Sequence, residues 1–232
     1  MPETPPETPL QADKPPRTQL FGLYLGDFTD AKRHLNLWLG RGDPFGVAHF
    51  SELYKKADPW NYERSSYDLV KRQVVEFALS GTQFERAFDV GSGEAHLATH
   101  LRSHFAAIDL LDASADALAR ARERVGLPGQ NLVGDIRKTL GTLQAGAYDL
   151  CLFSEVLYYF APIPWGPLDR AFRTAVARAL RPGGQVVLVH PLAFFYHRGW
   201  RADPRFKVVR AVTLAAGRKV EVLVLERRGN VG

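Results

Sequence analysis

The chain has 232 residues, a length that suits one α/β domain with additions. Its charged fraction of 24% and hydrophobic fraction of 46% are ordinary for a soluble globular protein, and no apolar run reaches the roughly 20 residues that span a membrane. The net charge of +5 is spread along the chain, which favours solvated surfaces over a nucleic-acid interface. The acidic, proline-rich start is unlike a secretory signal and the single cysteine, Cys151, excludes an internal disulfide, so we expect a cytoplasmic protein.

The first 57 residues differ from the rest in composition. Residues 1–20 are rich in proline and poor in large apolar side chains, which predicts a disordered tail. Residues 21–57 predict a helical appendage, with one helix over residues 29–40 and a short amphipathic helix that begins near Val47. Residues 58–232 alternate strands and helices and are predicted to form the main domain.

A glycine turn organises the main domain. A short buried strand over residues 87–90 runs into Gly-Ser-Gly at residues 91–93, and apolar residues at helical spacing predict a helix that starts near Glu94. Glycines let a ligand approach the backbone, and the start of a helix offers free N–H donors. Because His96 stands where a dinucleotide-binding turn has its third glycine, that class is disfavoured. A glycine turn without any ligand is the alternative.

Acidic residues stand at the ends of the next two predicted strands. The strand over residues 106–111 ends at Asp112, about 20 residues after the glycine turn, where a carboxylate can accept hydrogen bonds from both ribose hydroxyls. Asp109 competes for this role, but Asp112 falls at the strand end, directly before a helix cap. Asp135 follows the third strand and can accept an adenine amino group, with Ile136 covering the ring. A turn or cap role is the alternative for Asp135.

The second half of the chain continues the alternation. A nearly continuous apolar run over residues 148–153 predicts a central parallel strand. A helix over residues 168–180 and a fifth strand over residues 185–189 follow. Residues 191–206 are aromatic and basic and are predicted to be irregular. A hairpin over residues 207–227 then closes the sheet.

Residues 89–95 carry a recognisable motif. Their sequence, Asp-Val-Gly-Ser-Gly-Glu-Ala, resembles the first motif of class I S-adenosylmethionine (SAM) methyltransferases, an acid followed by x-Gly-x-Gly-x-(Gly/Ala). The resemblance implies an α/β, Rossmann-like class I methyltransferase fold. That fold has a seven-stranded, mostly parallel sheet with an antiparallel last strand, here preceded by a helical N-terminal extension.

Two further segments resemble a narrower group. Asp58-Pro59-Trp60 followed by Glu63-Arg64, together with Ser-Glu-Val-Leu-Tyr-Tyr at residues 154–159, resembles the nodulation protein S family. The type member of that family N-methylates a deacetylated chitooligosaccharide. This chain departs from it in its long N-terminal extension and in the segment after the fifth strand, both of which lie where acceptors bind. The resemblance therefore supports SAM chemistry better than it supports a sugar substrate.

The resemblance also implies roles for individual residues. Arg64 holds the methionine carboxylate with Tyr62 nearby, Asp112 holds the ribose, and the candidate general bases are Glu155 and His190. A purely structural role is the alternative for Glu155. The implied cofactor-binding set is Tyr62, Arg64, Asp89, Gly91, Ser92, Gly93, Asp112, Ala113, Asp135, Ile136, Ser154 and Glu155.

Two other groups of residues have alternative interpretations. His96, His100 and His104 recur at four-residue steps but lack a carboxylate or cysteine ligand nearby in sequence, so we predict one face of a core helix and no metal. Tyr196 and Trp200 either contribute to an acceptor site or pack against the N-terminal helices.

The sequence as a whole predicts a SAM-dependent methyltransferase. Its acceptor is expected to be the nitrogen or oxygen of a small molecule, with an amino sugar or saccharide among the candidates and no membrane partner. An RNA methyltransferase is an alternative that the scattered basic residues disfavour. A protein that binds SAM without catalysis is another. The oligomeric state stays open.

Overall fold

The computed structural model describes residues 46–161, 165–216 and 218–229, together with two paired strand segments, Gln19–Leu20 and Leu23–Tyr24. The strands of the main sheet are β1 Phe84–Val90, β2 Phe105–Asp112, β3 Asn131–Val133, β4 Tyr148–Ser154, β5 Leu180–Pro191, β6 Phe206–Ala216 and β7 Arg218–Arg227. The helices are α1 Val47–Leu53, α2 Ser66–Ala78, α3 His96–His100, α4 Ala115–Val125, α5 Ile136–Thr142, α6 Leu157–Phe160, α7 Pro167–Ala179 and α8 Tyr196–Arg201.

The seven strands form one sheet in the order β3-β2-β1-β4-β5-β7-β6. The first five run parallel, and β7 pairs antiparallel with both β5 and β6. This confirms the predicted Rossmann-like class I fold with an antiparallel last strand. Because the strand order reverses beside β1, the carboxyl ends of β1 and β4 flank a crevice of the kind in which ligands bind.

Both faces of the sheet are covered. Helices α2, α3 and α4 pack on one face, and α5, α7 and α8 pack on the other. Burial on both faces explains the apolar run of β4, in which Leu150 and Leu152 join one core cluster while Cys151 and Phe153 join the other. Cys151 is therefore a core residue, and burial raises the pKa of its thiol.

The helix after the glycine turn differs from its prediction. It begins at His96 rather than near Glu94, because Ala95 adopts a left-handed backbone with φ of +53°. It ends at His100, and Phe105 already belongs to β2, where it pairs with Phe84 of β1. Apolar residues at four-residue spacing fitted a longer helix, but pairing in the sheet takes Phe105 into the strand.

The segment after β5 is also more ordered than predicted. β5 itself extends to Pro191, and the predicted irregular region contains a 3-10 turn at Leu192–Phe194 and then α8. Tyr196 and Trp200 lie on α8 and are fully buried.

The predicted N-terminal appendage is covered only in part. Helix α1 confirms the short helix expected near Val47. The helix expected over residues 29–40 and most of the proposed tail at residues 1–20 lie outside the described residues. Within the described ranges, no helix is long and apolar enough to cross a membrane.

Candidate active site

The glycine turn is held against the end of β2. The backbone N–H groups of Gly91 and Ser92 both donate to the carbonyl of Leu111, at 2.8 and 3.0 Å. Gly91 has φ of +68°, and a Cβ built there would lie 2.2 Å from Cγ2 of Val156. A side chain at position 91 would therefore be strained and would collide with the wall of the crevice.

Asp112 connects the two strand ends. Its carboxylate accepts hydrogen bonds from the backbone N–H of Gly93 and of Ser114, each at 2.9 Å. Burial raises the pKa of Asp112, and these backbone donors oppose that rise. The competing acid, Asp109, is fully buried away from the turn, where it accepts hydrogen bonds from Arg86 and Tyr148. Asp109 is thus a structural residue, and Asp112 stands at the turn as predicted.

Asp135 combines the two interpretations considered for it. It caps the N-terminus of α5 by accepting the N–H of Arg137 at 2.9 Å, and its carboxylate pairs with the guanidinium of Arg137. The hydrogen bond from the Arg137 guanidinium, together with the backbone hydrogen bond and the charge of Arg137, lowers the pKa of Asp135. Asp135 and Ile136 nevertheless also line the crevice beside Ala113.

Two clefts surround the glycine turn. The larger, of about 680 Å³, extends along the carboxyl ends of β2 and β4, and the smaller, of about 490 Å³, lies beneath α2 and the start of α3. Four residues belong to both: Tyr54, Tyr62, Gly91 and Ser154. The larger also contains Asp112, Ala113, Asp135, Ile136, Glu155 and Tyr159, and the smaller also contains Asp68, Lys71, Arg72, Asp89, Ser92, Gly93 and His96.

The two clefts have the groups that a ligand with polar and apolar parts requires. The larger contains the carboxylate of Asp112 and the apolar side chain of Ile136. The smaller contains a buried Ser92 hydroxyl that finds no hydrogen-bond partner among the described residues, as expected at a site for a polar ligand.

The front wall of the clefts is built by the Asp-Pro-Trp segment. The carboxylate of Asp58 accepts the backbone N–H of Tyr62 at 2.7 Å and of Glu63 at 3.1 Å, which folds the segment into a tight turn. The indole N–H of Trp60 donates to the hydroxyl of Tyr54 at 3.2 Å. The segment therefore shapes the aromatic wall formed by Tyr54 and Tyr62.

The wall is anchored from behind by Glu94, a motif residue without a predicted role. Its side chain is 2% exposed, and one of its carboxylate oxygens accepts both the N–H of Asp58 and Nε of Arg120, at 2.9 and 2.8 Å. Arg120 also donates to the carbonyl of Tyr54 at 2.6 Å. The glycine motif thus fixes the front wall as well as the turn.

A buried polar cluster forms the floor where the clefts meet. Glu155 directly follows β4 and has φ of +54°, a conformation that costs energy for a residue other than glycine. Its Oε1 accepts hydrogen bonds from the hydroxyl of Tyr67 at 2.7 Å and from Nζ of Lys71 at 3.1 Å. Lys71, which is 4% exposed, also pairs with Asp68.

Sequence reasoning missed Tyr67, Asp68 and Lys71. Their one signal was a lysine and an aspartate at i, i+3 spacing on an amphipathic helix, which ordinarily indicates a solvated face. The partner that buries them, Glu155, is more than 80 residues away in sequence.

Two predicted site residues lie elsewhere. Arg64 is exposed and lines neither cleft, whereas Arg72, two turns further along, lines the smaller one. His190 is 1% exposed and lines neither cleft; its Nε2 accepts the N–H of Leu157 at 3.4 Å, and its ring lies 5.2 Å from that of Tyr196. The structure therefore does not bring Arg64 or His190 to the crevice.

The acceptor role considered for Tyr196 and Trp200 is wrong, because both are core residues. Tyr196 donates its hydroxyl to the carbonyl of Ala161, and the Trp200 ring packs between Phe153 and Phe206, with centroids at 5.7 and 5.4 Å. Trp200 thus packs on β4 and β6, and Tyr196 lies beside His190 of β5. The N-terminal helix expected over residues 29–40 lies outside the described residues.

The three spaced histidines have separate environments. His100 pairs with Glu76 at 2.8 Å, and His104 contacts the carbonyl of Thr82 at 3.1 Å. His96 is buried at the smaller cleft. In the part of the chain that the structure describes, no group of three or more His, Cys, Asp or Glu side chains could hold a metal.

Comparison with known proteins identifies the class. Residues 88–188, which span β1 through most of β5, match the family model for a methyltransferase domain. Residues 88–188 therefore form a methyltransferase domain. This match supports the predicted enzyme class.

One curated protein and two solved structures illustrate what the chain is similar to. Ribosomal RNA small subunit methyltransferase C of Chromohalobacter salexigens is 30% identical over 177 residues, which cover 69% of this chain and 51% of that protein. The chain thus spans about half the length of this curated relative.

Two solved structures are similar in fold. N-methyltransferase NodS from Bradyrhizobium japonicum, in complex with S-adenosyl-L-homocysteine (SAH), has a TM-score of 0.66 and 16% identity over 79% of this chain and 98% of that one. TrmN from Thermus thermophilus has a TM-score of 0.55 and 21% identity, over 76% of this chain and 53% of that one.

At these identities the solved structures establish a shared fold only. The narrower resemblance to the nodulation protein S family is therefore supported at the level of the fold.

Proposed function

We propose that the protein transfers a methyl group from SAM to a nitrogen or oxygen atom of a small molecule, with amino sugars and saccharides as the first acceptors to test. The observation that carries the proposal is the position of Glu155. Glu155 lines the larger cleft, and its carboxylate accepts hydrogen bonds from Tyr67 and from Lys71, a residue of α2 that lines the smaller cleft. A buried carboxylate in this position suits an acceptor that must lose a proton.

The cofactor is proposed to lie across both clefts. Asp112 and Ala113 hold the ribose, and Asp135 and Ile136 flank the adenine. The methionine part extends into the smaller cleft, which Asp89, Ser92 and Gly93 line together with Arg72. In this arrangement Arg72 takes the place that the sequence had assigned to Arg64.

The methyl group of SAM is already activated by its positive sulfur, so the protein mainly orients the acceptor and excludes water. The acceptor amine must arrive neutral, or its hydroxyl must lose a proton. In the proposed mechanism Glu155 accepts that proton, while Tyr67 and Lys71 hold its carboxylate in place. The aromatic side chains of Tyr62 and Tyr159 shield the site.

A methyl-transfer assay with labelled SAM and a panel of amino sugars, saccharides and small amines tests the proposal. We expect transfer to at least one panel member. Glu155→Gln should lower kcat by about 100-fold or more, the usual contribution of a general base, while the affinity for SAH changes little. The matched control is Glu76→Gln, the same change at a half-exposed side chain of α2 that lines neither cleft. Full activity in Glu155→Gln would leave the structural role for that residue.

A second candidate acceptor is ribosomal RNA. The 30% identity to a small-subunit ribosomal RNA methyltransferase favours it. The same assay with small-subunit ribosomal RNA separates the two, because transfer to RNA and to no panel member would replace the small-molecule proposal. SAM binding without transfer to either would indicate a non-catalytic protein.

A further inference from the structure

Three buried polar atoms of residues that line the smaller cleft have no hydrogen-bond partner among the described residues. One, Oδ1 of Asp68, is paired with Nζ of Lys71, and the other two have neither a hydrogen bond nor an ion pair within normal hydrogen-bond distance. They are Oγ of Ser92 and Nε2 of His96, and both residues line the cleft. Buried polar groups in native proteins nearly always have a hydrogen-bond partner. Two such atoms beside one cleft therefore indicate a ligand with polar groups of its own.

The ring of His96 is packed in place, but its Nε2 has no hydrogen-bond partner among the described residues. It is 9% exposed, and its ring lies against that of Tyr62, with centroids 5.5 Å apart. The nearest carboxylate oxygens to Nε2 belong to Glu94 and Asp58, at 3.6 and 3.8 Å, which is beyond hydrogen-bond distance. Burial and the charge of Arg124 lower the pKa of His96, so its imidazole is neutral at pH 7.

His96 also closes the end of the cleft. Together with Arg72 it separates the smaller cleft from a third, more open one on the outer side of α2 and α3. Among the described residues Arg72 forms no ion pair, so a positive charge is available at this end. Two potential donors and one free cation at the same end match a carboxylate.

We infer that His96 binds the carboxylate of the amino-acid part of SAM, with Nε2–H as the donor and Ser92 Oγ and Arg72 as the other partners. The inference rests on the proposed position of the cofactor. It gives a function to the residue that replaces the third glycine of a dinucleotide-binding turn. It also explains how the site works without Arg64.

The test compares two ligands that differ in the part His96 should contact. SAH has the amino-acid part, and 5′-methylthioadenosine retains the adenosine and sulfur but lacks it. Calorimetric titration of the full chain should show that His96→Leu lowers the affinity for SAH by about tenfold, the usual effect of one lost hydrogen bond. The affinity for 5′-methylthioadenosine should change by less than about twofold. His96→Gln, which keeps an N–H donor, should recover part of the SAH affinity.

The matched control is His100→Leu, the same substitution one turn further along α3. His100 lines the third cleft but not the smaller one. The His100→Leu variant should therefore bind both ligands with the affinity of the parent. Equal weakening of both ligands by His96→Leu would show that His96 only supports the wall and would overturn the inference. Unchanged SAH binding would overturn it as well. A parent protein that binds neither ligand would instead refute the proposed function.

Discussion

At the scale of single residues, the acid that opens the glycine motif has the most unusual environment. Asp89 is 5% exposed, and burial, with the nearby charge of Asp112 adding to it, raises its pKa from 3.8 to about 7. The sequence located this residue but not its protonation state. The pKa depends on the distance to Asp112 and on how tightly β1 is covered, and neither is written in the motif.

This shifted pKa predicts a change of stability with pH. The unfolded chain releases the Asp89 proton near pH 4, whereas the folded protein keeps it until about pH 7. Between these values the folded state binds the extra proton, so the free energy of unfolding falls as pH rises. Urea unfolding at pH 5 and pH 8 measures this change. The free energy of unfolding should fall by about 3 kcal/mol more in the parent than in Asp89→Asn between the two pH values. Equal falls in both proteins would contradict the assignment.

Other single residues show the same division. Asp112 and Asp135 were found from sequence because strand ends in a parallel sheet converge on one edge. Arg64 is exposed and lines neither cleft, because a resemblance in sequence does not determine which cation of this region faces the site. Arg72, on α2, lines the smaller cleft.

At the scale of elements, α2 contributes its polar face to the floor of the site. An amphipathic helix ordinarily turns charged residues to solvent, whereas Asp68 and Lys71 are buried. The reason for burial lies in β4, whose carboxyl end places Glu155 against that face. Helix ends, strand lengths and long-range pairs of this kind depend on tertiary packing that a single sequence does not display.

The buried pair predicts a large loss of stability when it is broken. Lys71→Met removes the cation from two buried carboxylates, those of Asp68 and Glu155, and should lower the free energy of unfolding by about 3–5 kcal/mol. The matched control is Lys55→Met, which breaks an exposed pair with Glu52 and should cost less than about 1 kcal/mol. Chemical denaturation of both variants measures the difference. Equal stability of the two would show that the floor of the site does not depend on this pair.

At the scale of the whole molecule, the order of strands and helices was predictable. Alternation of apolar strands with amphipathic helices restricts the topology, because the connections between parallel strands are right-handed. The final hairpin then adds beside β5, in the order β5-β7-β6. The front wall was not predictable, because it depends on Glu94 meeting Asp58 and Arg120, contacts that span 36 and 26 residues of chain.

Calorimetric titration of the full chain with SAM and, separately, with NAD⁺ tests the central claim most directly. We expect one SAM to bind per chain and no NAD⁺ to bind at the same concentration. In Asp112→Ala the affinity for SAM should fall about tenfold or more, because the variant loses a hydrogen bond to a charged group. Binding of NAD⁺ without binding of SAM would contradict the assignment of this crevice to a methyl donor.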